Sequence, residues 1–158
     1  MPDLKPPRLV SGERETLHAL IQYQRDSFVR KITGVNEADA RRSLVGSGTT
    51  LLWLIKHMTH AESLWIVRRF AGQALDLPPE SVDSCDTVKS AIGTYKKVWI
   101  RVDAIIAAAP GLDEICRDVG DESDVNLRWV LMHLLEETSR HAGHADVLRE
   151  LIDGATGR

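Results

Sequence analysis

NLRWVLMHLLEETSRHAGHADVLRELID, residues 126–153, is the stretch whose reading decides the fold. It contains no proline, only one glycine between its ends, and strong helix formers at most positions. Asn126 or Asp124 can cap its start, and Gly154 stands where a helix should stop. The spacing therefore predicts one long helix. At about 100° per residue, Val130, His133, Glu137, His141, His144, Leu148 and Leu151 share a narrow stripe. That stripe is apolar at both ends and polar in the middle. Burying unpaired ionisable groups costs several kcal/mol or is avoided by a pKa shift, so something must satisfy the imidazoles and the carboxylate. A divalent metal ion does this economically, since His nitrogen and Glu oxygen are its usual ligands.

Working outward, the rest of the chain supplies partners for this helix. Residues 1–10 carry three prolines and predict an extended arm. Leu17, Leu20, Ile21, Gln24 and Phe28 give a first helix from a Ser11 cap to about Lys31, with Gly34 at its stop. A helical turn is expected over Glu37 to Arg42, then a glycine-bearing loop over 43–48. A second long helix runs from Ser47–Thr50 to about Phe70. Its inner face is read as Trp53, Leu54, His57, Ala61, Leu64 and Trp65, with His57 central and His60 at the edge. A third begins at a Ser84 or Asp86 cap and continues through Val88, Ile92, Tyr95, Val98, Trp99 and Val102 to about Ala109, where Pro110-Gly111 stops it. Residues 112–125 form an acidic, polar loop into the last helix. Four long helices and no strand-like alternation predict a single all-α domain over 1–158, a four-helix bundle. The four tryptophans fall at helical spacing and read as core, some of them at a pocket mouth.

Composition narrows the function. The 158 residues carry 43% hydrophobic and 27% charged side chains, as in ordinary globular proteins, and a formal charge of −3. With no basic cluster, nucleic acid is not an expected partner. No apolar run approaches the roughly 20 residues of a membrane span, and MPDLKPPR lacks the apolar core of a signal peptide. Cys85 and Cys116 have neither metal-knuckle spacing nor a nucleophile's context, so the expected setting is the reducing cytoplasm. Gly46-Ser47-Gly48 is too short to be a phosphate loop.

Five of the six histidines lie on the second and fourth helices. Glu137 and His141 are four apart, hence about 6 Å apart at Cβ on one face, and can reach a common ion. The remaining ligand must come from another helix, and His57 is the core-centred candidate. His57, Glu137 and His141 thus form a two-His, one-carboxylate set with room for water or substrate. Zinc is the first choice of metal, with nickel or iron as alternatives. His133, a turn before Glu137, and His144, a turn after His141, are the candidate proton-carrying catalytic residues. His60 and His18 read as edge or surface residues, and Glu136 as part of the solvated face.

LLWLIKHM at 51–58 resembles the second-helix signature of the DinB-like superfamily. The stretch 127–157 resembles an actinobacterial branch called mini-circle proteins, a domain of unknown function. The similarity spans nearly the whole chain, strongest on these two helices and weak over 71–124. It implies a four-helix bundle of DinB-like topology, often dimeric, with a metal held by a His on the second helix and a pair spaced by four on the last. That pair is often His and His; Glu137 stands in the first place here. The mycothiol-dependent maleylpyruvate isomerases also resemble this Glu-then-His version. His57, Glu137 and His141 take the ligand places, and His144 falls where many relatives carry Gln.

Two functions are compatible with this pattern. One is a metal-dependent enzyme of thiol-transferase or isomerase type, acting on a small molecule with a low-molecular-weight thiol as cosubstrate. The other is a non-catalytic metal-binding or stress-response module with a closed coordination sphere. Apolar residues beyond the inner stripe, notably Trp99 beside Val98 and Ile100, predict a homodimer.

Overall fold

The computed structural model describes residues 5–118, 120 and 123–156. The expectations for the first four residues of the arm and for parts of the acidic loop lie outside these. Residues 5–10 are non-helical and exposed. The helices are α1 (Glu13–Ile32), α2 (Glu37–Arg41), α3 (Leu51–Glu62), α4 (Val88–Ala108) and α5 (Leu127–Asp153). After α3 the helix continues unbroken as a π-helical segment, Ser63–Phe70. Among the described residues the isolated bridge Ile115–Asn126 is the one strand-like pairing. The fold is an all-α bundle, and no helix among the described residues is long and apolar enough to cross a membrane.

Local chemistry sets the helix ends. Thr50 Oγ1 accepts the Trp53 N–H at 3.0 Å and opens α3. Asn126 Oδ1 does the same for Trp129 at 3.0 Å and opens α5. Each such cap is worth about 1 kcal/mol. Gly154 closes α5 at φ 72°, a left-handed position that suits glycine. Two expected caps move. Gly12 rather than Ser11 is the N-cap of α1, and the Ser11 hydroxyl turns to the Thr16 hydroxyl instead. α4 starts at Thr87, whose side chain forms a reciprocal capping box with Ser90, while Asp86 pairs with Lys56.

α1 packs chiefly on α5, and α3 on α4. The core has two apolar layers. One gathers Phe28, Leu52, Ile55, Met58, Trp99, Ala145 and Leu148; the other gathers Ile21, Ile66, Val102, Leu127, Val130 and Leu134. Fully burying one Leu or Ile of this kind stabilises the fold by about 1.5–3 kcal/mol. Between the layers lies a polar waist of buried Arg25, Thr59, Glu62, Ser63, Thr138 and His141.

At the centre of that waist, Arg25 and Glu62 are fully buried and paired. Arg25 Nε donates to Glu62 Oε1 at 3.0 Å, and the Tyr95 hydroxyl donates to the same oxygen at 2.7 Å. Arg25 also donates to Asp103 at 2.8 Å, and Asp103 meets His18 Nε2 at 3.1 Å. Burial works against the Arg25 charge, but Glu62 outweighs it and holds the proton more firmly than usual. Burial, then the Glu62 charge, pushes the Tyr95 phenol well above its ordinary range. The π-helical widening begins beside Glu62, where the Thr59 and Ser63 hydroxyls bond back to the carbonyls of Ile55 and Thr59 at 2.7 and 2.8 Å. Such back-bonds draw on helix-ladder acceptors and favour a local departure from α geometry.

Three sequence expectations need correcting. Leu151 belongs to the outer surface at 54% exposure, because the buried face of α5 runs through Leu127, Val130, Leu131, Leu134, Thr138, Ala142, Ala145 and Leu148. Trp99 is buried against Tyr95, so Ile100 alone of the Val98–Ile100 run is a large exposed apolar side chain. His57 is not core-centred. α3 is buried on most of its circumference, and His57 lies with Trp53 and His60 on its half-exposed edge.

Candidate metal centre

His57, Glu137 and His141 meet at the rim of the waist, where the edge of α3 faces α5. One ligand atom from each lies within 4.8 Å of the others. Glu137 Oε2 is 3.2 Å from His141 Nε2 and 4.0 Å from His57 Nε2. The two imidazoles meet edge to face, their centroids 4.7 Å apart. Helical spacing brings Glu137 and His141 together, and packing of α3 on α5 adds His57.

Both rings are oriented from behind. The His141 ring nitrogen away from Glu137, Nδ1, is 3.4 Å from His144 Nδ1. The corresponding Nδ1 of His57 is 3.1 Å from Glu80 Oε1. The Trp53 indole lies flat on the His57 ring, 5.0 Å between centroids and 11° between planes. Arg140 donates to the other Glu137 oxygen, Oε1, at 2.8 Å, which leaves Oε2 toward the histidines. Burial lowers the His141 pKa; the His57 charge adds to the effect against the opposing pull of Glu137. A neutral imidazole offers a lone pair, which is what a metal ligand requires.

The donor set fits a divalent ion: two imidazole nitrogens and one carboxylate oxygen converge at a partly open rim. Three protein ligands leave a further position for water or substrate. A pocket of about 220 Å³ adjoins it, lined by Val45, Ser47, Thr49, His144, Val147 and Leu148. His144 therefore touches both the His141 ring and this pocket.

The structure separates the other candidates from the triad. His133 stacks on Trp129 at 5.0 Å and meets Trp65 edge-on at 4.8 Å, with Glu136 3.8 Å from its Nδ1. It belongs to an aromatic cluster a turn away from Glu137. Glu136 is exposed and paired with Arg140. His60 bonds through Nδ1 to the Pro78 carbonyl at 2.8 Å. His18 is on the far face with Asp103. Trp53 and Trp65 are half-buried beside histidines, and Trp129 is 44% exposed, so only Trp99 is a core tryptophan. Sequence reasoning missed Glu80. It lies in the connection between the π-helical segment and α4, where no periodicity marks a side chain as inward. A lone carboxylate directly after two prolines was its only signal.

A sequence model of the mycothiol-S-transferase family matches residues 16–154. None of the curated proteins matches the chain. A solved structure of a conserved protein from Enterococcus faecalis is similar in fold: TM-score 0.61 at 17% identity, covering 92% of this chain and 100% of that one. At that identity the likeness concerns the fold alone.

Proposed function

Because the chain belongs to the mycothiol-S-transferase family, we propose that it is a metal-dependent enzyme joining a low-molecular-weight thiol, mycothiol or a close analogue, to a small molecule. The observation that carries this reading is the convergence of His57, Glu137 and His141 beside the His144 pocket. These three residues would hold the ion, zinc by preference, with nickel or iron as alternatives. When bound, a divalent ion lowers the pKa of a thiol and so supplies a thiolate at neutral pH.

The chain's own residues do the rest. Arg140 and the helix fix Glu137. The contact between His141 Nδ1 and His144 Nδ1 orients the His141 ring so that its Nε2 faces the site. His144, exposed and beside the pocket, is placed to accept the proton that the thiol releases and pass it to water. Val45, Val147 and Leu148 offer apolar contact to the molecule that receives the sulfur. His133, bracketed by indoles, is given a packing role rather than a catalytic one.

Elemental analysis of purified protein together with a thiol-conjugation screen tests the proposal. About one divalent ion per chain and turnover with mycothiol are expected, both lost in His141→Ala. Stoichiometric metal with no turnover across a broad electrophile panel would favour the non-catalytic metal-binding module instead. We further propose that the protein is a cytoplasmic homodimer. Two free cysteines suit a reducing compartment, and the exposed Trp129, Met132 and Ile100 side chains offer apolar surface to a second copy. A monomeric mass by light scattering at micromolar concentration would remove the dimer.

A further inference from the structure

We infer that Glu80 is a positioning residue for His57, fixing the tautomer and ring orientation that present Nε2 to the metal centre. The inference rests on the reading of His57 as a ligand. The two nitrogens of an imidazole point away from each other across the ring, and the partner of one decides which proton state the other has. Glu80 Oε1 stands 3.1 Å from His57 Nδ1, while Nε2 faces Glu137 Oε2 at 4.0 Å. A carboxylate can only accept, so Nδ1 carries the hydrogen and donates it. Nε2 is then left with its lone pair toward Glu137 and His141. Trp53, stacked on the ring, holds its plane.

The segment that carries Glu80 is itself tied to α3. Pro78 and Pro79 restrict the backbone immediately before it. One turn beyond His57, His60 Nδ1 donates to the Pro78 carbonyl at 2.8 Å, and His60 Nε2 stands 3.9 Å from Glu80 Oε1. His60 thus anchors the loop, the loop places Glu80, and Glu80 aims His57. A side chain there for solubility alone would require none of this. Carboxylate–histidine pairs behind metal ligands typically contribute about 10- to 100-fold to metal affinity.

The test uses the full-length protein and Zn²⁺ alone as the probe, with Glu80→Ala and Glu80→Gln. Zinc affinity is read at pH 8 by competition with a chromophoric chelator. The His57 tautomer is read in metal-free protein by long-range ¹H–¹⁵N NMR. Wild type is expected to show hydrogen on Nδ1. Glu80→Ala should bind zinc at least tenfold more weakly and show mixed tautomers. Glu80→Gln keeps an acceptor oxygen, so it should preserve the tautomer and lose less affinity; it also decides the matter should Glu80→Ala fold poorly. An unchanged tautomer in Glu80→Ala, or zinc affinity within threefold of wild type, would overturn the inference. A wild type that binds no zinc would sink the metal reading, while the tautomer measurement would still decide what Glu80 does.

Discussion

The bundle holds two polar clusters, and they are built to opposite rules. Arg25, Glu62 and Tyr95 are sealed in the waist, and every group has its counterpart: guanidinium on carboxylate, phenol on carboxylate. The cluster of His57, Glu137 and His141 sits at the rim, where two imidazole nitrogens face a single carboxylate oxygen at 3.2 and 4.0 Å. Closely paired opposite charges need no third party. Two imidazoles that share one carboxylate oxygen do not saturate one another, and when deprotonated they offer a ligand set to an ion. A saturated buried cluster therefore reads as architecture and an unsaturated rim cluster as a binding site, although both are made of ionisable side chains.

Breaking the first cluster should have the largest effect. Removing one partner of a fully buried ion pair strands the other, at about 3–5 kcal/mol. Arg25→Ala and Glu62→Ala should each lose that much in urea unfolding. A loss below about 1 kcal/mol would show that the waist is open to water and would erase the contrast. His57→Ala, at the rim, should cost the metal-free protein much less.

Chelation of the proposed metal comes next. An ion that binds only the folded state adds RT ln(1 + [L]/Kd), about 2.7 kcal/mol at a hundredfold excess over Kd. Chelation at pH 7.5 should lower the melting temperature of wild type and leave His141→Ala unmoved. Indifference of the wild type, with metal loss verified, would mean that the helices preform the site without help from the ion.

The smallest effect is the pH response of the metal-free protein. The His141 pKa is depressed from 6.5, first by burial and then by the His57 charge. The unfolded chain then binds the proton more readily than the folded one. The resulting stability is complete above about 6.5 and is lost as the pH falls through the lower folded value. Melting temperature should drop from pH 7 toward pH 5, and His141→Gln should flatten that slope. A rise instead would mean that the cluster takes up a proton to satisfy itself, making it more like the waist.

The two clusters also differ in how far the sequence revealed them. Glu137 and His141 were legible because one helix carries both, four residues apart, and His57 because the α3 signature surrounds it. Arg25 and Glu62 were not, since each is a single charge on a helix that looks solvated until the neighbouring helices close over it. His57 was read as central and is marginal, because α3 is buried nearly all round and periodicity loses its meaning there. Glu80 had no periodic context at all.

By itself, then, the sequence determined the helices, most of their ends and the spacing of Glu137 and His141 on α5. These depend on neighbours within one or two turns, which the order of residues specifies directly. The tertiary structure decided which charges are sealed, which histidines meet, and that the 71–87 connection brings a carboxylate behind His57. Those contacts join residues such as Arg25 and Glu62, 37 positions apart, and only packing sets which of many possible partners ends within reach.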